Sequence, residues 1–338
     1  MLADAESVWD IAERWLEEGR RVVWATVVGT WSSSPRPLGS QMLIADDGRF
    51  AGSVSGGCVE SAVIQAAPGV LEARTSMRLE YGVTTEQAWE VGLPCGGKIE
   101  LFLAEVTRSL LEPLRSARAA RRGTTCVTDL ERGTQQIWDP KAGGESLIPP
   151  DGLLAEAVAR AVAQDRSQLI ELEGRRIFAH VSAAPLRLVV VGAVHLTQAL
   201  GDLATLNGFE VIVIDPRTAF ATPERFPRAT LVHDWPDSAL AALCPDSRTA
   251  VVVLSHDAKL DEPALVTALR SPCFYIGALG SQRTQQARRR RLADEGFGDA
   301  ELARIHGPVG LDIGALTTPE IAVAIMAEII QARRKPRS

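Results

Sequence analysis

The sequence predicts an α/β protein: a C-terminal Rossmann-like, mostly parallel sheet preceded by an N-terminal mixed α/β domain. Three observations predict it. Continuous apolar runs of strand length, such as Leu188–Val191, Val211–Ile214 and Ala250–Leu254, recur beyond residue 185. Segments with helical periodicity separate them, as in a parallel sheet covered on both faces. Before residue 185 the strand-like and helical segments follow no such alternation, and Ser182-Ala183-Ala184-Pro185 marks a boundary. The domains are therefore placed at 1–184 and 185–338.

In the first domain, Val8, Ile11, Ala12 and Trp15 share one side of a helix over residues 6–18. Arg21 to Val28 reads as a strand. The loop Trp31–Ser40 holds Pro35 and Pro37, which fix φ, and leads to a strand over Gln41–Ala45 turned by Asp46-Asp47-Gly48. Val59–Ala73 is expected to be helical, Met77–Tyr81 and Lys98–Val106 extended. A helix over 107–122, a hairpin region through Trp138, a helix over 151–163 and two strands within Gln168–Val181 complete the domain.

In the second domain the strand Leu188–Val191 runs into Gly192 and a helix from His195 to Asn207, closed by Gly208. Strands over 210–214, 250–254 and 273–276 follow, with helices near 261–270, 281–295 and 319–334. Thr318 and Pro319 form a helix opening, a cap followed by proline at the first helical position.

The chain has 338 residues, 46% apolar and 23% charged, with a formal net charge of −6. This composition suits a globular protein and argues against binding nucleic acid or an acidic membrane. Arg288-Arg289-Arg290-Arg291 reads as a solvated helix face. The longest apolar stretches are too short to cross a bilayer. Five scattered cysteines, at 58, 95, 126, 244 and 273, with no leader-like start, read as reduced thiols of the cytoplasm.

Two cysteines stand apart. Cys58 follows Gly52-Ser53-Val54-Ser55-Gly56-Gly57, and Cys95 precedes Gly96-Gly97. Consecutive glycines pack a core poorly but let backbone N–H groups approach a bound anion. Cys58 lies at an expected helix start, where unpaired N–H groups would lower a thiol pKa. Either thiolate could ligate a soft metal, carry sulfur or attack an electrophile. Arg36, between two prolines, is a pre-oriented cation for an anionic ligand. Cys126, Cys244 and Cys273 read as small core residues.

At the crevice of the second domain, Gly192-Ala193-Val194-His195 ends the first strand and Asp215 ends the second, 23 positions beyond Gly192. That spacing fits an acidic residue reaching a ribose hydroxyl. However, Val194 and Thr197 replace the other fingerprint glycines, so NAD is not the expected ligand. His195, at the helix start, and His256 and Asp257, after the strand at 250–254, are further candidate ligand contacts. An NAD-dependent oxidoreductase is the alternative function.

These segments together resemble the XdhC/CoxI family, accessory proteins of xanthine dehydrogenase and related molybdenum hydroxylases. The resemblance rests on Ser33-Ser34-Pro35-Arg36-Pro37, the two cysteine segments, Val190–His195, Asp215-Pro216-Arg217, Phe220–Phe226, Ser255–Asp261, Tyr275–Ser281 and His306–Ala315. It implies a chaperone that binds molybdenum cofactor, molybdopterin or its cytosine dinucleotide form. Such a chaperone protects the cofactor during sulfuration and helps insert it into an apo molybdenum hydroxylase. It further implies a cysteine desulfurase partner and a homo-oligomer. Cys58 and Cys95 correspond to the family's cofactor-handling cysteines, with transient molybdenum contacts.

Overall fold

The computed structural model describes residues 8–31, 36–57, 59–81, 98–138, 152–172 and 174–334. The chain divides into two compact units, one within residues 6–184 and the other within 185–338.

The first unit holds two sheets. Strands β1 (Val22–Trp31), β2 (Gln41–Ala45), β3 (Phe50–Gly52), β4 (Met77–Tyr81) and β5 (Lys98–Glu105) form one, in the order β3-β2-β1-β5-β4. All neighbours are antiparallel. Such a sheet often leaves one face to water, yet β1 is buried from Val22 to Gly29. Alternating side chains explain this. Val23, Ala25 and Val27 pack with Val63, Ala67, Val70 and Leu71 of helix α2 (Glu60–Ala73). Val22 and Trp24 pack with Ala12 and Trp15 of helix α1 (Val8–Glu17) on the opposite face.

Helix α3 (Arg108–Ala119) leads to the second sheet, β7-β6-β9-β8, built from β6 (Thr124–Asp129), β7 (Thr134–Trp138), β8 (Gln168–Leu172) and β9 (Arg175–Ser182). Helix α4 (Leu153–Ala163) covers it through Val158 and Ala161. The two sheets meet through Val28, Phe102, Leu130 and Phe178. They also share an ion pair in which Arg176 Nη1 donates to Glu100 Oε1 at 2.9 Å. Glu100 is wholly buried, so the guanidinium supplies the counter-charge that burial requires.

The second unit is one parallel sheet of six strands in the order β12-β11-β10-β13-β14-β15. The strands are β10 (Leu186–Val191), β11 (Phe209–Ile214), β12 (Thr230–Val232), β13 (Thr249–Val253), β14 (Tyr275–Ala278) and β15 (Ile305–His306). Counted from β10, this is the 3-2-1-4-5-6 order of doubly wound dinucleotide-binding sheets. The short edge strands β12 and β15, which complete the order, have too few residues to show a sequence period. Leu188 and Val190 face helices α5 (His195–Leu206) and α10 (Thr318–Arg334). Val189 and Val191 face α6 (Pro236–Leu243), α7 (Ala258–Leu269) and α8 (Gln282–Asp294), with the short helix α9 (Asp299–Leu302) beside them. No helix among the described residues is long and apolar enough to cross a membrane.

Candidate functional site

In the first unit the glycine loop folds around a carboxylate of its own. Glu60 opens α2 and turns back into the loop. Its Oε1 accepts from the amides of Val54 at 3.2 Å, Ser55 at 2.9 Å and Gly56 at 3.0 Å, and from Ser53 Oγ at 2.8 Å. Its Oε2 accepts from Gly57 N–H at 2.8 Å and from the Ser55 hydroxyl. Gly56 and Gly57 adopt φ of +92° and +123°, which aim successive amides at one point and which residues with a Cβ rarely adopt. Burial alone would raise the Glu60 carboxyl. The Ser55 hydroxyl and amide and the Ser53 hydroxyl outweigh it and hold the pKa far below the ordinary carboxylate range.

This corrects the expectation that Gly56 and Gly57 point unpaired donors at a cofactor. Their amides form an anion nest, and Glu60 fills it. The described part of the loop therefore does not fit an anionic pterin as a ready-made phosphate cradle. Cys58, Cys95, Gly96 and Gly97 lie outside the described residues. The two neighbours of Cys58 are both held: Gly57 N–H donates to Glu60, and Val59 is buried with its N–H donating to Ser55 Oγ at 3.1 Å. Arg36 is exposed. The other cysteines divide. Cys126 is buried, and burial pushes its thiol up to about 12; Cys273 is also buried and raised by burial. Cys244 departs from the core reading: it is exposed in the left-handed cap of α6, with φ +45°.

A second buried polar group in this unit escaped sequence reasoning. His180 of β9 lies among Trp9, Trp24 and Phe178, with Gln41 Nε2 at 2.9 Å from its Nε2. Burial lowers its pKa to about 4. A lone histidine in a strand pattern carries no signal of that burial.

In the second unit the candidate residues gather at the carboxyl ends of β10, β11 and β13. Gly192 has φ +105°, and a Cβ there would lie 2.7 Å from Ser255 N, so only glycine lets the β10 and β13 turns touch. Val194 is the extended N-cap of α5, and Thr197, at the third fingerprint position, donates from Oγ1 to Gly192 O at 2.5 Å. A hydroxyl thereby locks the turn that glycine packing would otherwise shape. His195 is exposed at the first position of α5.

Asp215 is wholly buried. Its Oδ1 accepts from Arg217 N at 3.0 Å and Arg217 Nε at 2.8 Å; its Oδ2 accepts from Ala193 N at 2.8 Å and Arg217 Nη2 at 2.7 Å. Desolvation acts to raise its pKa, but the Arg217 side chain and the Ala193 amide prevail and lower it. The expectation of a carboxylate presented to a ligand is therefore corrected: the oxygens of Asp215 are engaged within the protein.

His256 and Asp257 do not form a couple. His256 is exposed with φ +60°, whereas Asp257 caps α7 by accepting from Lys259 N at 2.9 Å. The residue of this turn that reaches inward is Ser255, whose Oγ donates to buried Asp261 Oδ1 at 2.7 Å. Asp261 faces Arg288 at 3.4 Å, and Arg288 Nη1 donates to Gln285 Oε1 at 2.7 Å and to Leu279 O at 3.3 Å. Gln285 in turn donates to Ala278 O at 2.8 Å. This buried chain fastens the β13 turn to the β14 turn. It also amends the solvated-face reading of the arginine run at one position: Arg288 is buried, whereas Arg289, Arg290 and Arg291 are exposed, Arg291 pairing with Glu262.

A nucleotide-type parallel sheet, joined to a mixed α/β unit with a glycine loop ahead of a cysteine, defines the class of protein. Two family profiles match: XdhC and CoxI family over residues 15–82, and XdhC Rossmann domain over residues 188–329. A Bacillus subtilis (strain 168) protein described as a probable xanthine dehydrogenase subunit is 30% identical over 326 residues, covering 95% of this chain and 96% of the relative. The chain is 28% identical over 333 residues to "Molybdenum cofactor insertion chaperone PaoD" of Escherichia coli (strain K12), covering 98% and 89%. The chain belongs to the XdhC and CoxI family. A crystal structure from Bacillus halodurans, described as a xanthine dehydrogenase, has the same fold. It aligns with a TM-score of 0.78 at 24% identity, over 98% of this chain and 96% of that one.

Proposed function

We propose that this protein is an accessory protein that binds molybdenum cofactor, supports its sulfuration and helps insert it into a xanthine dehydrogenase-type molybdenum hydroxylase. The observation that carries the reading is similarity over nearly the whole chain to a relative named as a molybdenum cofactor insertion chaperone. The Bacillus subtilis relative, whose name refers to xanthine dehydrogenase, supports the same client class. In this reading Cys58 and Cys95 handle the cofactor's metal end, and exposed Arg36 is a contact for its anionic part. A cysteine desulfurase supplies sulfur, and the protein works in the cytoplasm as a homo-oligomer. Bound cofactor would supply the molybdenum centre, and the chain's task is to hold it and keep solvent from it. The alternative, an NAD-dependent oxidoreductase, needs an available carboxylate at Asp215, and Arg217 occupies that carboxylate.

The test is purification from molybdate-supplied cells, chemical identification of any released pterin, and activation of an apo-hydroxylase by the purified protein. The reading expects a molybdopterin species, in mono- or dinucleotide form, and activation that falls with Cys58→Ala. A protein that carries no pterin and activates no apo-hydroxylase would refute it.

A further inference from the structure

We propose that Arg217 is a specificity residue that closes the C-terminal crevice to nucleotide ribose. This goes beyond the accessory reading and does not depend on it. In doubly wound sheets of this order, the carboxylate that ends the second strand receives the ribose 2′-hydroxyl. Asp215 occupies that place, directly after Ile214, which pairs with Val191 across β10 and β11.

An ionised carboxylate offers about four lone-pair directions, and takes more donors only where several share one, as on Glu60. Asp215 has four protein donors: Ala193 N, Arg217 N, Arg217 Nε and Arg217 Nη2. Three of them come from one residue, two positions along the chain. A diol would have to displace a two-pronged, charge-assisted contact with neutral hydroxyls, which are the weaker partners.

Arg217 is also held from elsewhere. Its guanidinium lies over the Phe220 ring, 4.4 Å from the centroid, and its carbonyl accepts from Phe220 N at 2.9 Å. The side chain therefore cannot swing away without losing the ring contact as well as the fork. Removing the guanidinium would return two acceptor positions on Asp215 to the crevice, one on each oxygen. Val194 is a separate obstacle at the pyrophosphate position, so the two effects must be separated experimentally.

Isothermal titration calorimetry of the full-length protein with ADP-ribose and with NAD separates them. Wild type and Val194→Gly should show no binding up to about 1 mM ligand. Arg217→Ser, alone or with Val194→Gly, should gain binding by at least about tenfold, and adding Asp215→Asn should abolish the gain. Near-ultraviolet circular dichroism checks that each variant is folded. Wild-type binding of either ligand below about 1 mM, lost in Asp215→Asn, would overturn the proposal. So would folded Arg217→Ser and Val194→Gly/Arg217→Ser proteins that gain nothing. If Arg217→Ser does not fold, Arg217→Met, which keeps an aliphatic side chain over the Phe220 ring, replaces it in the same titrations and is held to the same outcomes. Neither readout involves molybdenum cofactor or a hydroxylase, so this proposal and the accessory reading fail separately.

Discussion

Gly57 donates its amide to Glu60 Oε2 at 2.8 Å, and this bond folds the glycine loop back onto the first turn of α2. Because Ser53, Val54, Ser55 and Gly56 converge on the same carboxylate, the loop's conformation depends on one negative charge. Glu60→Gln removes that charge and sets an NH2 donor against amide donors. It should cost about 2 kcal/mol in urea denaturation of the full chain at neutral pH, the scale of hydrogen bonds to a charged group.

The same carboxylate makes a pH prediction. Its folded pKa is depressed, so its contribution is complete above the unfolded value of about 4.3 and is lost as pH falls below that toward the folded value. The stability difference between wild type and Glu60→Gln should shrink between about pH 5 and pH 2. A difference that stays constant over that range would contradict the assignment.

His180 predicts a second pH dependence with its own window. The unfolded chain takes up a proton near pH 6.5, whereas the buried ring resists it until about pH 4. The unfolded state thus binds more protons between those values, and stability falls as pH drops through the window, by about 3 kcal/mol in total. His180→Gln should flatten the slope of unfolding free energy against pH from 6.5 to 4, even if it lowers the plateau.

Glu100 and Arg176 test the joint between the two sheets of the first unit. Arg176→Met leaves a fully buried carboxylate with Arg78 at 3.8 Å as its remaining ion-pair partner among the described residues, and should cost about 3–5 kcal/mol. Glu100→Gln combined with Arg176→Met should recover much of that loss, because the uncompensated charge is gone. Thermal unfolding of the single and double variants measures the difference.

Gly192→Ala should destabilise the full-length protein by about 1–3 kcal/mol or more. The added Cβ meets Ser255 backbone and must adopt a left-handed φ. Ser255→Ala should not rescue it, since the closest atoms are main-chain N and Cα. Urea midpoints of Gly192→Ala with and without Ser255→Ala check this.

Two engaged carboxylates show where sequence reading stopped short. Glu60 follows Gly57 by three residues at a helix opening, the spacing of a capping-box carboxylate, so a local signal for its role existed. Asp215 and Arg217 are likewise neighbours in sequence, yet their spacing does not say whether the arginine turns inward or toward solvent. Asp261 and Arg288 are 27 positions apart and gave no signal at all.

The sequence by itself determined the longer strands and helices but not the short elements β3, α6, β12, α9 and β15, and it determined the parallel character of the second sheet and the family to which the chain belongs. Those follow from local periodicity, from turn residues and from contiguous motifs, all of which are properties of neighbouring residues. Tertiary structure alone decided which charges meet. Whether Arg288 is buried depends on how α8 is rotated against its sheet, and whether Glu100 finds Arg176 depends on two sheets meeting. A buried charge is stable only when it is paired, and for these two the partner arrives from a distant part of the chain.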